Sequence, residues 1–319
     1  MDKSKPYFSI VIPMYNRERF IRRAVTSCLT QDFQDFEIIV VDDGSIDRSI
    51  EVVRSVTDSR LQVICHAQNQ GACPARNTGV SHSQGNWVVF LDSDDELLPG
   101  ALQSIYQRSQ EAADNIGALC FGYIYDTGVL SPDPPLSDEI WDYEHYIRAL
   151  EYYFGKRMDI AVIPRRNTFE RVKYPQGKGN ELLYHLNFSQ LYLKKTCSGI
   201  IKRYNHDAAN QLTAPAISGI ISNAPHLLRN AEAVMALHGE SLARWAPRYF
   251  LQALSGLATL NFLMGRRCQG LHYVGLGLRT NPLARKALGV ALLGLLGPRP
   301  LAWVKSQRTQ KILQRRLHD

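Results

Sequence analysis

Along the first hundred residues, apolar runs alternate with segments of helical periodicity. FSIVIPMY, from Phe8 to Tyr15, predicts a strand, and about Arg19 to Leu29 predicts an amphipathic helix with Phe20, Ala24, Val25 and Leu29 on one face. FEIIVV (Phe36 to Val41) predicts a second strand, Asp47 to Val56 a helix, and LQVICH (Leu61 to His66) a third strand. Pro74 to Ser81 reads as a short helix with its proline near the first turn, WVVFLD (Trp87 to Asp92) as a fourth strand, and Ala101 to Ala113 as the next helix. Trp87 and Phe90 are assigned to the core. Such alternation predicts a parallel α/β sheet with right-handed crossovers.

Two of these strands end in acid. VVDDGS closes the second, and FLDSDD closes the fourth, where Asp92, Asp94, Asp95 and Glu96 fall within five residues. Close carboxylates repel one another and oppose folding unless a cation or a bound ligand neutralises them. A simpler use also fits: Asp95 or Glu96 caps the helix from Ala101, and Asp42 or Ser45 organises its own turn. One acidic strand end suggests a cap, whereas two at the carboxyl edge of an open sheet, where ligands bind, suggest a site. The turn after the first strand reads PMYNRERF and lacks the glycines of a dinucleotide fold, and no GxxxxGK[ST] loop occurs. A phosphate ligand would then be held through a metal.

At 319 residues and 45% hydrophobic, the chain is long enough for two domains or for one with an appendage. Six cysteines without a CxxC pair are expected to be reduced and mostly buried. No secretory signal is seen at the start and no run reaches bilayer length, so the expected location is the cytoplasm. From Ser241 onward, 13 Lys and Arg face a single acid, Asp319; this tail carries +12 of a whole-chain +7 and leaves the first 240 residues at −5. The tail predicts helices over Leu227–Gly239, Leu242–Met264 and Gln269–Arg279, then an apolar run, Ala287–Leu296, too short to span a bilayer, and the basic amphipathic PLAWVKSQRTQKILQRRLHD. A basic face beside an apolar one suits an anionic membrane surface, placing the protein peripherally at the inner face of the cell membrane. A helical cap with its charge in water is the simpler alternative. Nucleic acid is not expected as a partner, because no recognised module accompanies the charge.

SIVIPMYN, VVDDGS, NQGACPARNTGV and QGNWVVFLDSDDELLPG, in this order and spacing, resemble the nucleotide-sugar domain of inverting family 2 glycosyltransferases. The resemblance is close over residues 7–110 and looser to about 215. It implies an α/β, Rossmann-like GT-A domain over 1–225, with a nucleotide-sugar half (7–110) and an acceptor half (111–215), and a basic helical extension over 226–319. It implies that Pro13, Tyr15 and Asn16 line the nucleotide pocket, that Asp43 with Asp42 accepts a hydrogen bond from the base, and that Arg76 lies near the nucleotide. Asp92, Ser93 and Asp94 form the DxD element, in which Asp92, Asp94 and Asp95 hold Mn²⁺ or Mg²⁺ on the diphosphate. Hard ions prefer such oxygen ligands.

The same resemblance implies that the closing segment IIKRYNHDAANQLT brings Lys202 and Arg203 to the donor and His206 to the metal. Arg165, Arg166 and Lys178 either meet an anionic acceptor or are solvated. An inverting transfer also needs a base on the acceptor side, in the family the Asp of a Glu-Asp pair. YPQGKGNELLYHL has no such pair. One alignment sets Asn180 and Glu181 on it, another Glu181 and Leu182; in either, Glu181 is the candidate base, with Asp207 next. The implied activity is transfer of a sugar from a nucleotide-diphosphate donor to a glycan or polyprenyl-linked acceptor in cell-surface polysaccharide synthesis. A catalytically silent sugar-nucleotide-binding or scaffold subunit and a nucleotidyltransferase are the alternatives.

Overall fold

The computed structural model describes residues 5–176, 181–205, 217–281 and 289. Lys178, Asn180, His206, Asp207 and, apart from Gly289, the segment from residue 282 onward lie outside them. The chain divides into two compact units: Met1–Tyr146, Gly155–Gly177 and Tyr184–Ala208 form one, and Ile147–Phe154, Lys178–Leu183 and Ala209–Asp319 the other.

The first unit opens with β1 (Phe8–Met14), α1 (Ile21–Leu29), β2 (Phe36–Asp42), α2 (Ser49–Arg54), β3 (Leu61–Cys65), α3 (Ala72–His82) and β4 (Trp87–Phe90). All four strands run parallel, in the order β3-β2-β1-β4. Each connection is a helix, as parallel pairing requires. β1 is buried at every residue and β2 at all but one, which is why both read as unbroken apolar runs. Alternate residues serve opposite faces. Ile10, Ile12, Ile38, Val40 and Val89 pack with Ile21, Ala24, Val25 and Cys28 of α1. On the other face Val11 and Val88 meet Cys73 and Val80 of α3. Gly79 lets α3 approach this closely, since a Cβ there would lie 2.3 Å from Val11 Cγ1.

A second sheet follows, built from β5 (Glu96–Leu97), β6 (Ile116–Tyr125), β7 (Leu130–Ser131), β8 (Ile140–Trp141), β9 (Ala161–Pro164) and β10 (Leu193–Tyr204). β10 lies between β5 and β6, parallel to β6 and antiparallel to β5. Helices α4 (Ala101–Gln110), α5 (Tyr143–Tyr152) and α6 (Leu182–Leu191) and a 3₁₀ turn at Arg166–Glu170 complete the order up to β10. Neither Asp95 nor Glu96 caps α4. The helix starts after Gly100, which has φ 74°, and the Leu102 N–H donates to Gln31 Oε1 at 3.1 Å. Gln31 is buried and also donates to Leu98 O at 2.9 Å, so it takes the structural part that the two acids were free to play.

In the second unit α7 (Ile217–Trp245), α8 (Pro247–Leu263) and α9 (Arg267–Thr280) share a core of Ala224, Leu228, Leu257, Ala258, Leu260, Phe262, Leu263 and Val274. The helix expected over Leu242–Met264 is divided at Ala246, because Pro247 cannot continue a helix from its N-terminal side but suits the first position of a new one. All six cysteines are free, with Cys28, Cys73, Cys120 and Cys197 buried. Among the described residues, no helix is long and apolar enough to cross a membrane.

Candidate active site

The carboxyl ends of β1, β2 and β4 meet at one edge of the parallel sheet, which sets Met14 beside Asp42 in register. Asn16 has φ 53°, a left-handed conformation that asparagine tolerates better than most residues. That twist lets its backbone N–H donate to Ser45 Oγ at 2.9 Å while its Oδ1 accepts from Ile46 N at 2.9 Å. The two turns are thereby stitched together. Pro13 is buried in β1, and Tyr15 is 38% exposed at its end, available to a ligand face.

The two acids of VVDDGS have separate partners. Asp42 is buried and accepts from Ser45 N at 3.2 Å. Asp43 accepts from Gly71 N at 2.7 Å, from Gln70 N at 2.9 Å and from His66 Nδ1 at 2.8 Å. The other ring nitrogen of His66 lies 2.9 Å from Thr78 Oγ1 on α3. Asp43 therefore ties the end of β3 and the loop before α3 to the sheet edge. His66 was not singled out from the sequence, although a polar residue ending a strand at the same edge as two acidic strand ends was a usable signal.

At the end of β4, Asp92 accepts from Arg76 Nη2 at 2.8 Å and from Lys202 Nζ at 3.2 Å. Arg76 is not a solvated helix residue: it is 7% exposed, with its guanidinium 5.6 Å from the Tyr174 ring centroid and 5.9 Å from that of Phe90. Asp94 faces Arg17 at 3.4 Å. Asp95 is fully buried; its carboxylate pairs with Lys202 at 2.8 Å and accepts from Asn205 N at 3.2 Å. Asn205 also donates to Asp94 O at 3.1 Å and to Glu96 Oε2 at 3.2 Å, and Arg23 donates to Asp94 O at 2.7 Å. Ser93 is buried within the same turn.

Burial pulls the Asp92 carboxyl upward, yet the Lys202 ammonium and Arg76 guanidinium outweigh it and hold the group well below the usual carboxylate range. Asp94 goes the other way, pushed up by burial and by the charge of Asp92 against the pull of Arg17. Burial opposes the charge on Lys202, but Asp92 and Asp95 hold its ammonium above the ordinary lysine range.

Strand alternation separates the two basic residues of β10. Lys202 points into the acidic cluster, while Arg203, opposite Glu96 in the β10–β5 register, is exposed. Arg165 and Arg166 are committed elsewhere, donating to Ile116 O at 2.8 Å and to Gly85 O at 3.1 Å. The Arg165 guanidinium also lies 4.4 Å from the ring centroid of the buried Trp87. Glu181 is half-buried immediately ahead of α6, in a segment grouped with the second unit.

Among the described residues, no three His, Cys, Asp or Glu side chains form a ready metal cage. The donor set nevertheless fits a hard divalent cation that arrives with a diphosphate, because such an ion needs only one or two protein carboxylates. Asp92 keeps 38% of its side chain exposed, and Asp94 stands two residues on in the same turn.

Residues 9–163 match the model of Glycosyl transferase family 2. The chain carries a family 2 glycosyltransferase domain. Its structure is similar to that of S. aureus TarS residues 1–349, solved with UDP-GlcNAc, with a TM-score of 0.64 and 18% identity, covering 95% of this chain and 92% of that one. It is also similar to the mannosyltransferase PcManGT of Pyrobaculum calidifontis, solved with GDP-Man and Mn²⁺, with a TM-score of 0.54 and 16% identity over 92% of this chain and 88% of that one. The glycosyltransferase domain thus has the GT-A fold, with helices following it. In sequence the chain is 42% identical over 100 residues to an uncharacterized glycosyltransferase of Haemophilus influenzae, covering 31% of this chain and 40% of that protein. It is 36% identical over 118 residues to the GalNAc(5)-diNAcBac-PP-undecaprenol beta-1,3-glucosyltransferase of Campylobacter jejuni, covering 36% and 38%. The alignments thus span about two-fifths of these relatives' own length.

Proposed function

We propose that this glycosyltransferase transfers a sugar, with inversion, from a nucleotide-diphosphate donor to a glycan or polyprenyl-linked acceptor in the synthesis of a cell-surface polysaccharide. The observation that carries the reading is the meeting of Arg76 and Lys202 with Asp92, beside Asp94, at the carboxyl edge of the parallel sheet, where open α/β sheets bind their ligands. Pro13, Tyr15 and Asn16 line the nucleoside side, and Asp43, with Asp42 beside it, receives a hydrogen bond from the base. Arg76 and Lys202 supply positive charge next to Asp92 where the diphosphate departs. Asp94, with Asp92, would hold Mg²⁺ or Mn²⁺, which when bound stabilises negative charge developing on the leaving diphosphate. Glu181 takes the proton from the attacking acceptor hydroxyl.

A thermal-shift screen of nucleotide sugars with Mn²⁺ tests the donor assignment. At least one UDP- or GDP-sugar is expected to raise the melting temperature in a metal-dependent way; no shift with any nucleotide would count against it. The single acid at Glu181, where the family carries a Glu-Asp pair, favours a second reading in which the domain binds a sugar nucleotide without turning it over. A donor that binds but yields no nucleoside diphosphate with any acceptor would support that reading. The +12 tail further supports peripheral contact with an anionic membrane. Binding to anionic liposomes should then fall as salt rises, and salt-independent binding would argue against this contact.

A further inference from the structure

The acidic end of β4 is balanced from within the chain. Asp92 pairs with Arg76 and Lys202, Asp94 with Arg17 at 3.4 Å, Asp95 with Lys202 at 2.8 Å, and Glu96 with Arg23 at 3.6 Å. Among the described residues, four acids thus meet four cations. Arg17, Arg23 and Arg76 come from the same half of the chain as the acids. Lys202 arrives from β10, and its ammonium lies 3.2 Å from Asp92 and 2.8 Å from Asp95.

The Lys202 side chain is 10% exposed and that of Asp95 1%. An ammonium is a compact point charge, unlike the planar guanidinium, and bridging two carboxylates is what a small cation would do in the same place. The second Asp95 oxygen is occupied by the Asn205 N–H. Asp95 is therefore the anchor of Lys202, and Asp94 is the carboxylate left for an arriving ion.

We propose that Lys202 is a built-in counter-ion, bridging Asp92 and Asp95 and offsetting the Asp92 carboxylate that a metal would share with Asp94, so that the acidic cluster takes up a divalent cation only together with the donor diphosphate. This rests on reading the cluster as a diphosphate site. Among the described residues, an ion entering the unliganded cluster meets acids already paired with cations, and Lys202, Arg17 and Arg76 repel it. A diphosphate brings the negative charge that reverses the balance.

The test is a titration of the full chain with Mn²⁺, followed by loss of the free-ion electron paramagnetic resonance signal, without nucleotide and with UDP or GDP. It compares the wild type with Lys202→Met, Lys202→Arg and Lys202→Gln, whose neutral amide can still donate to the buried Asp95 and carries the comparison where the Met variant does not fold. Without nucleotide, the wild type and Lys202→Arg should bind Mn²⁺ weakly, and the Met and Gln variants about tenfold more tightly. With nucleotide the wild type should bind well. Met and Gln variants no tighter than the wild type, or a wild type that binds equally with and without nucleotide, overturn the proposal. Met or Gln variants that bind Mn²⁺ alone, beside a wild type that no nucleoside diphosphate helps, keep the counter-ion and remove the donor reading.

Discussion

Lys194 is fully buried, and its ammonium has a Tyr146 ring centroid at 3.7 Å and a long contact of 3.4 Å to His185 O. Burial lowers its pKa from 10.5 to about 8. Between those values the unfolded chain holds a proton that the folded one releases, so stability should rise with pH across that window. Lys194→Met should remove this slope and stabilise the fold below pH 8 by roughly 3 kcal/mol, less whatever the Tyr146 contact contributes. Denaturant titrations of both proteins at pH 7 and pH 10 check this, and the advantage should shrink at the higher pH. Glu181→Gln keeps size and polar reach but cannot accept a proton; turnover should fall by about 10² to 10⁴ with donor affinity nearly unchanged, read by steady-state kinetics beside calorimetry. The acids at 42, 43, 92, 94 and 95 were legible because charge at the tip of an apolar run contradicts packing. Their partners were less so. Arg76 and Lys202 were indicated by the family resemblance, whereas Arg17, Arg23, His66 and Asn205 act through contacts that only chain folding creates, Asn205 reaching Asp95 from 110 positions away.

α3 lies against β1 through Gly79, and the register of that contact helps carry Arg76 to Asp92. Gly79→Ala should force Val11 aside and cost about 1–3 kcal/mol in chemical denaturation. Gly256→Ala in α8, where a Cβ meets nothing within 4 Å, should instead be neutral or stabilising by up to about 1 kcal/mol. β1, β2 and β4 were readable as elements because both of their faces are largely covered, so that before the closing Asp42 only Ser9 and Glu37 interrupt their apolar runs, whereas β3, at the sheet edge, is only partly covered and carries Gln62. The second sheet was not. β5, β7 and β8 are two residues long, and β10, LKKTCSGIIKRY, mixes adjacent lysines, Thr, Ser and Gly with apolar residues in no regular period, so pairing across the chain, rather than local pattern, defines them. The break between α7 and α8 was visible as Pro247, but the apolar periodicity on both sides of it masked the stop.

The two compact units carry different signatures: a mildly acidic body built on a parallel sheet, and helices continuing toward a tail rich in Lys and Arg. Asp92, Asp94, Asp95 and Glu96 of the body stand together after β4, and they face Arg17, Arg23 of α1, Arg76 of α3 and Lys202 of β10. Under the proposed function the chemistry depends on that one edge. Its most direct test is nucleoside diphosphate release from a panel of UDP- and GDP-sugars with Mn²⁺, comparing the wild type with an Asp94→Asn variant matched to it by circular dichroism and melting temperature. The wild type should release nucleoside diphosphate from at least one donor, and Asp94→Asn should lower that release by about a hundredfold or more. Equal release by a folded Asp94→Asn protein, or pyrophosphate in place of nucleoside diphosphate, would contradict the assignment.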